Sequence, residues 1–527
     1  MKKRSVRAIA LMLVLVMLAT VLSACGKTQT KDDGAADTAD NAGTQADTAA
    51  NTEVNIVLSG DTGSLHPHAA NGDWNAVMRM IYDSPVDPKL DGSLEMLLVE
   101  QIDTISDTEY TLHLRQGVTF ANGNPFTADD FMFSAELARD DAQFFLHVKS
   151  VDFEKTNIVD DYTVDLWLTA YDPGCFTGMN CLYMFDKESY DADALAKEPN
   201  GTGPYVVTDY VSNSHVTLQA RDDYWGGELG IKTINVTIMN ESSQMVNSLV
   251  TGDAQFSRIP VKDIEYIESL GDYNVYTASN SSAYCAYINM TPDDSNPFST
   301  LEAREAFMYA IDRQAIVDMV FEGKSRVPSW PLSEDVLDYE PRFSNMSEVY
   351  AEGYNPEKAK ELADKSGLTG KTIRLITNGG ADYVTMAEII KNNLKDIGVN
   401  VEIQNYDAAT YFSMLMDEST FDAALFVIAG STCLAIDLAY SYPGFIPLGW
   451  TGEDHDAYMA LGAQGMAMSD ATARGDIIYQ MMEIFNRSYP WFTLAESVSP
   501  TAYAKSLGGV EFYLDGTFRV NHWYYEQ

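Results

Sequence analysis

Side chains with ligand or nucleophile chemistry are sparse in this chain, and their spacing limits what they can do. His66 and His68 flank a proline in Leu65-His66-Pro67-His68 and can in principle share a metal. The seven histidines are scattered, however, and none completes an H-E-x-x-H or a carboxylate-rich helix motif. A turn held by at most a structural hydrogen bond is the better reading of that pair, and neither metal nor cofactor is expected. Cys175, Cys181, Cys285 and Cys433 form no C-x-x-C and no zinc-like set. Cys175 and Cys181 close a short loop and either pair outside the cell or stay as two buried thiols. No G-x-S-x-G is present, and Asp222-Asp223 point apart on a strand, so enzyme chemistry is not expected.

The remaining cysteine has a different context. Lys2, Lys3, Arg4 and Arg7 precede the apolar run Ala8 to Val21, which is short for a membrane span and has the length of a signal-peptide core. Leu22-Ser23-Ala24-Cys25 then reads as a lipobox, in which small residues precede a cysteine that is acylated on sulfur and becomes the mature first residue. Gly26 to Glu53 carries no aromatic and no large aliphatic side chain. Nothing there offsets the entropy of ordering, so it reads as a tether holding a globular body off the membrane.

Val54 to Gln527 is too long for one core, and two lobes are expected. The formal charge is −43, and −47 once the four cations of the head are removed. That excess disfavours nucleic acid and anionic lipid surfaces as partners.

The elements that must position any site begin with Tyr110 to Ser134, YTLHLRQGVTFANGNPFTADDFMFS. Tyr110, Leu112 and Leu114 alternate with Thr111 and His113, the period of a half-buried strand, and the short run Val118 to Phe120 follows after Gly117. Asn122-Gly123 is a turn, and Thr127 with Asp130 has the spacing of a capping box before a helix bearing Phe131 and Phe133. Further on come Gly201-Thr202-Gly203-Pro204-Tyr205, the corner Tyr224-Trp225-Gly226-Gly227, and two helices in Leu301 to Gly323. Asp312 caps the second of these, with Ile316, Met319 and Val320 facing inward. Strands at Thr372 to Thr377, Val399 to Gln404 and Phe421 to Ala429 alternate with helices such as Met386 to Asp396, giving α/β units.

This ordered series of blocks, with Leu65-His66-Pro67-His68 and the strand Tyr489 to Leu494, resembles the extracellular solute-binding proteins of peptide and nickel ABC transporters, family 5. The resemblance implies an α/β, two-lobe, periplasmic-binding-protein-like fold of the class II or venus-flytrap kind, with a discontinuous first lobe and an extra subdomain. Its expected layout is a lipoprotein signal peptide over 1–24 and an acylated Cys25 with tether over 25–53. Lobe I then takes 54–284 plus 491–527, with an inserted subdomain at about 88–198, and lobe II takes 285–490.

The implied function is the substrate-binding subunit of an ABC importer that captures oligopeptides in an interlobe cleft and delivers them to a membrane permease with cytoplasmic ATPase subunits. An oligosaccharide or nickel chelate as ligand, or a peptide-sensing lipoprotein, are the alternatives. The expected location is the extracytoplasmic face of the cell membrane, and a monomer is the default. By the resemblance, Asp437, in the loop after the strand Phe421 to Ala429, is the partner for a peptide ammonium; a helix cap before Leu438 is the competing role. By position in that architecture, Asp61, His66, Trp74, Tyr383, Tyr406, Tyr440 and Trp450 are further cleft candidates, and the aromatics as a set suit varied apolar side chains.

Overall fold

Val54, Ile56 and Leu58 point to one side of the first strand and are fully buried, which fixes its register against its neighbours. The structure is a computed structural model that describes residues 51–527 apart from 71–73, 142–143, 279–280, 429–433, 447 and 527. The expected signal peptide, the expected lipid attachment at Cys25, the expected tether up to Ala50 and residues 429–433 lie outside the described residues.

The chain first lays down β1 (Glu53–Leu58), β2 (Tyr205–Val211), β3 (His215–Ala220), β4 (Thr233–Ile238), β5 (Phe256–Arg258) and β6 (Tyr273–Ala278). It then crosses to form β7 (Ala283–Ile288), β8 (Thr372–Thr377), β9 (Asn400–Asn405), β10 (Ala423–Ile428) and β11 (Trp491–Glu496), and returns as β12 (Ser499–Ala504). The first sheet has seven strands in the order β6-β12-β5-β1-β4-β3-β2, and the second has five in the order β9-β8-β10-β7-β11. Each sheet has its own hydrophobic core. One runs from Val54 to Tyr273 and resumes from Ala502 to Trp523; the other runs from Cys285 to Ala495. Two cores joined by two crossings are the expected two lobes with a discontinuous first one.

The return crossing differs from its expected place at residue 491. Trp491–Glu496 pairs antiparallel with β7 and belongs to the second sheet, so the chain re-enters the first lobe only at 497–498. There the two crossings meet, with the Ser497 amide donating to the Ser282 carbonyl at 2.9 Å.

Helix α1 (Trp74–Ile81) follows β1 in the first lobe. A separate four-stranded antiparallel sheet, Val99–Ser106, Glu109–Leu114, Thr163–Trp167 and Asn157–Asp160, makes the inserted subdomain, with helix α2 (Ala128–Asp140) against it. Its start is held as the spacing predicts, because the Thr127 amide and hydroxyl both donate to Asp130 Oδ2, at 2.8 and 3.0 Å. Val118 to Phe120 contributes only an isolated bridge between Thr119 and Pro125.

In the second lobe α3 (Leu301–Ala310) leads to α4 (Arg313–Val320), whose Ala315 amide donates to Asp312 Oδ1 at 2.9 Å. Ile316 is buried as expected, but Met319 is 66 % exposed and turns away from the core. The helix is short and packs through one narrow stripe, which Met319 leaves. Helices α5 (Ala381–Asp396) and α6 (Ala435–Phe445) follow β8 and β10.

The C-terminal segment is locked to the first lobe by buried charge. Arg79 pairs with Asp87 and, at 2.7 Å, with Asp515, while Arg519 pairs with Asp87 at 2.6 Å and Asp83 at 3.4 Å. Trp225 Nε1 also donates to Asp83, at 2.8 Å, so the Tyr224-Trp225 corner shares this cluster.

Candidate functional site

Helix α6 follows β10 in the chain, and the carboxylate of Asp437 lies in its first turn, where the positive end of the helix dipole favours it. The capping role is supplied from elsewhere, since Asp338 Oδ1 accepts the Ala435 amide and Arg474 Nε lies 3.6 Å from its other oxygen. Asp437 is only 9 % exposed. Its Oδ1 accepts from Ser441 Oγ at 3.0 Å, one helical turn on, and stands 3.3 Å from Lys149 Nζ. Lys149 belongs to the inserted subdomain of the first lobe, so this ion pair spans the two lobes. No local pattern in the sequence links positions 288 residues apart, and the lysine escaped a reading based on motifs.

The other expected residues fall into separate groups. Asp61 accepts from Ser212 Oγ at 2.7 Å and from Tyr210 at 3.3 Å, which ties the loop after β1 to the end of β2. His66 is buried and stacks on Phe185 at 5.0 Å. Its Nδ1 accepts the His68 amide at 3.1 Å and its Nε2 lies 3.1 Å from the Tyr190 hydroxyl, so one nitrogen serves the turn, the other meets Tyr190, and neither is offered to a ligand. Burial lowers its pKa and pushes that of His68 down to about 4. Among the described residues no three His, Cys, Asp or Glu side chains gather to hold a metal ion. Trp74 opens α1, and its side chain lies outside the described residues.

Tyr383 stands edge-on to Tyr284 at 5.3 Å, and Tyr406 donates to Gln404 Oε1 at 3.1 Å; both pack against the second core. Tyr440 shares α6 with Asp437 and lies over Gly462, where an added Cβ would come within 2.4 Å of its ring. Trp450 is buried against Tyr458 at 5.0 Å, and Tyr458 in turn donates to the Ala439 carbonyl at 3.0 Å. Trp450 therefore supports α6 from behind, as a core residue. The structure thus brings Asp437 and Tyr440 onto one helix with Trp450 behind them, and leaves Asp61 and His66 in the other lobe.

A trio of rings was missed as well. Phe426 lies 5.4 Å from Tyr287 and 6.2 Å from Tyr442, joining β10, β7 and α6, with Phe426 and Tyr442 only partly buried. At the crossings, a cavity of about 530 Å³ is lined from the first lobe by Ser59 and Arg258 and from the second by Met319 and Asp382. A smaller one of about 190 Å³ lies in the first lobe beside Leu58, Asn75 and Thr501, and Arg258 borders it too. Strand ends, loops and facing lobes are where ligands lodge in α/β sheets. Chemically, the site can hold a cationic group between lobes and can change its opening by rotation about the paired crossings.

Comparison with known proteins agrees with this architecture. The model of the bacterial extracellular solute-binding proteins, family 5 (middle region), matches residues 93–442, more than half of the chain. The chain belongs to that family. Heme-binding protein A of Haemophilus influenzae is 24% identical over 490 residues, 86% of this chain and 87% of the relative. The oligopeptide-binding protein OppA of Bacillus subtilis is 25% identical over 79% of this chain and 80% of its own length. Among solved structures, AppA of Bacillus subtilis in complex with a nonapeptide superposes with a TM-score of 0.75 at 19% identity, covering 91% of this chain and 99% of that one. The fold is that of the two-lobe binding proteins, and the family binds solutes and is not enzymatic. No helix among the described residues is long and apolar enough to cross a membrane.

Proposed function

We propose that this protein is the ligand-capturing subunit of an ABC importer, taking oligopeptides into the cleft between its lobes and presenting them to a membrane permease. An extended peptide offers main-chain donors and acceptors to the cleft walls whatever its sequence, with Asp437 receiving its terminal ammonium. The observation that carries the reading is the pair Lys149–Asp437: a poorly exposed carboxylate of the second lobe takes an alkylammonium from across the cleft at 3.3 Å. The half-buried rings of Phe426, Tyr440 and Tyr442 near it suit varied apolar side chains. The likeness to proteins named for oligopeptides supports the same substrate class. Residues 1–24 act as the signal, the acylated Cys25 anchors a monomer on the extracytoplasmic face, and the segment up to Ala50 is its tether, shorter than the expected 25–53 because Glu53 already pairs in β1 with Thr233.

Native mass spectrometry of the purified chain before and after unfolding tests this. A heterogeneous set of small released peptides is the expected result. A single mass corresponding to a sugar or a metal chelate would replace the peptide assignment within the same family.

A further inference from the structure

Lys149 is presented on a rigid base. The preceding turn Phe144–His147 is fixed by His147 Nδ1 at 2.6 Å from the Gly178 carbonyl, and Val148 and Val151 on either side are buried. The Val148 and Val151 amides close successive turns on the Phe145 and Val148 carbonyls at 3.1 and 3.0 Å. With the main chain pinned, the lysine side chain, 31 % exposed, reaches out to a carboxylate oxygen that Ser441 already orients. An alkylammonium at that oxygen has the same charge and donors as the ammonium of a peptide.

We propose that Lys149 is a tethered competitor for the ligand's ammonium, and so a specificity-determining residue: it closes the ligand-free protein by filling Asp437 and must be displaced before a cationic ligand is held. The inference rests on the reading of Asp437 as an ammonium site. A covalently attached ammonium has a high effective concentration and forms the pair whenever the lobes approach. An incoming ammonium then exchanges one ion pair for another and gains little by itself. Net closure around a ligand comes from the contacts it adds elsewhere in the cleft, so small cations are rejected and longer ligands retained. A ligand without a free ammonium leaves the Lys149 pair in place and is indifferent to it.

Two measurements on the full chain test this, with Lys149→Met, Asp437→Asn and wild type compared after thermal melts confirm folding. In ion-mobility native mass spectrometry without ligand, wild type is expected to populate a more compact form than either variant; identical arrival-time distributions overturn the proposal. In calorimetric titrations, Lys149→Met is expected to bind trialanine about 1.5- to fivefold more tightly than wild type, the range of a partly exposed ion pair, and N-acetyl-trialanine no more tightly. Weaker or unchanged trialanine binding by Lys149→Met overturns it. If trialanine binds neither protein, the peptide reading fails, while the ion-mobility comparison still decides the role of Lys149.

Discussion

Arg519 Nε donates to Asp87 Oδ2 at 2.6 Å across 432 residues of chain, and both side chains are essentially inaccessible to water. This pair, shared with Arg79 and Asp83, joins the returning C-terminal segment to the start of the first lobe. Removing one partner leaves buried charge uncompensated. Arg519→Met is expected to lower stability by about 3–5 kcal/mol, read by urea unfolding. A loss under 1 kcal/mol would mean the cluster relaxes or admits water.

Gly203 is required by close approach to α1. A Cβ there would lie 2.5 Å from the Ile81 carbonyl carbon and 2.8 Å from the Tyr82 nitrogen, both main-chain atoms that cannot rotate away. Its own amide donates to the Ile81 carbonyl at 2.9 Å. Gly203→Ala should therefore cost about 1–3 kcal/mol, visible as a lowered melting temperature, with overpacking as the cause.

Asp437→Asn keeps the shape of the side chain and removes its charge. In the Lys149→Met background, where no tethered ammonium competes for the carboxylate, losing a charge-assisted hydrogen bond of about 1.5–3 kcal/mol should weaken trialanine binding by about ten- to a hundredfold and leave N-acetyl-trialanine unaffected. Calorimetric titration of both peptides distinguishes this from a general loss of the cleft, in which both would weaken alike.

His68 makes stability pH-dependent. Its ring stacks on Phe144 at 4.3 Å, and burial holds its pKa down at about 4, against the opposing pull of Asp141 and with added repulsion from His66 and His147. Unfolded, the same ring has the ordinary value of 6.5. Between these values the unfolded chain binds more protons than the folded one, so stability is full above pH 6.5 and falls as pH drops towards 4. Urea unfolding at pH 7 and pH 5 (about one unit above His68's folded value) should show this slope, and His68→Gln should flatten it. His66 and His147, both also lowered by burial, keep a residual slope.

Cys175 and Cys181 are separate buried thiols, which resolves the alternative left open by their spacing. Burial pushes both pKa values up to about 12, so the reactive thiolate is scarce. Iodoacetamide at pH 8, followed by peptide mapping, should leave both unmodified in the native chain and label both after denaturation.

The sequence by itself determined what is decided within a few residues. Thr127 and Asp130 mark the start of α2, Asp312 caps α4, and alternation of Tyr110, Leu112 and Leu114 marks the strand Glu109–Leu114, because capping and strand periodicity depend on neighbours in the chain. The ordered blocks also made the two-lobe family legible. At the same local level, one face of a short helix was misjudged at Met319, and the return crossing was placed before β11 because an apolar strand reads alike in either sheet. Only the tertiary structure sorted the site. Trp450 and Tyr440 are aromatics of one short stretch, yet one is core and the other only partly buried, and His66 spends one nitrogen on its own turn and the other on Tyr190. The pairing of Asp437 with Lys149, and the release of Asp437 from capping by Asp338, join residues distant in sequence. Such contacts are set by how two sheets and a subdomain pack, which no local spacing encodes.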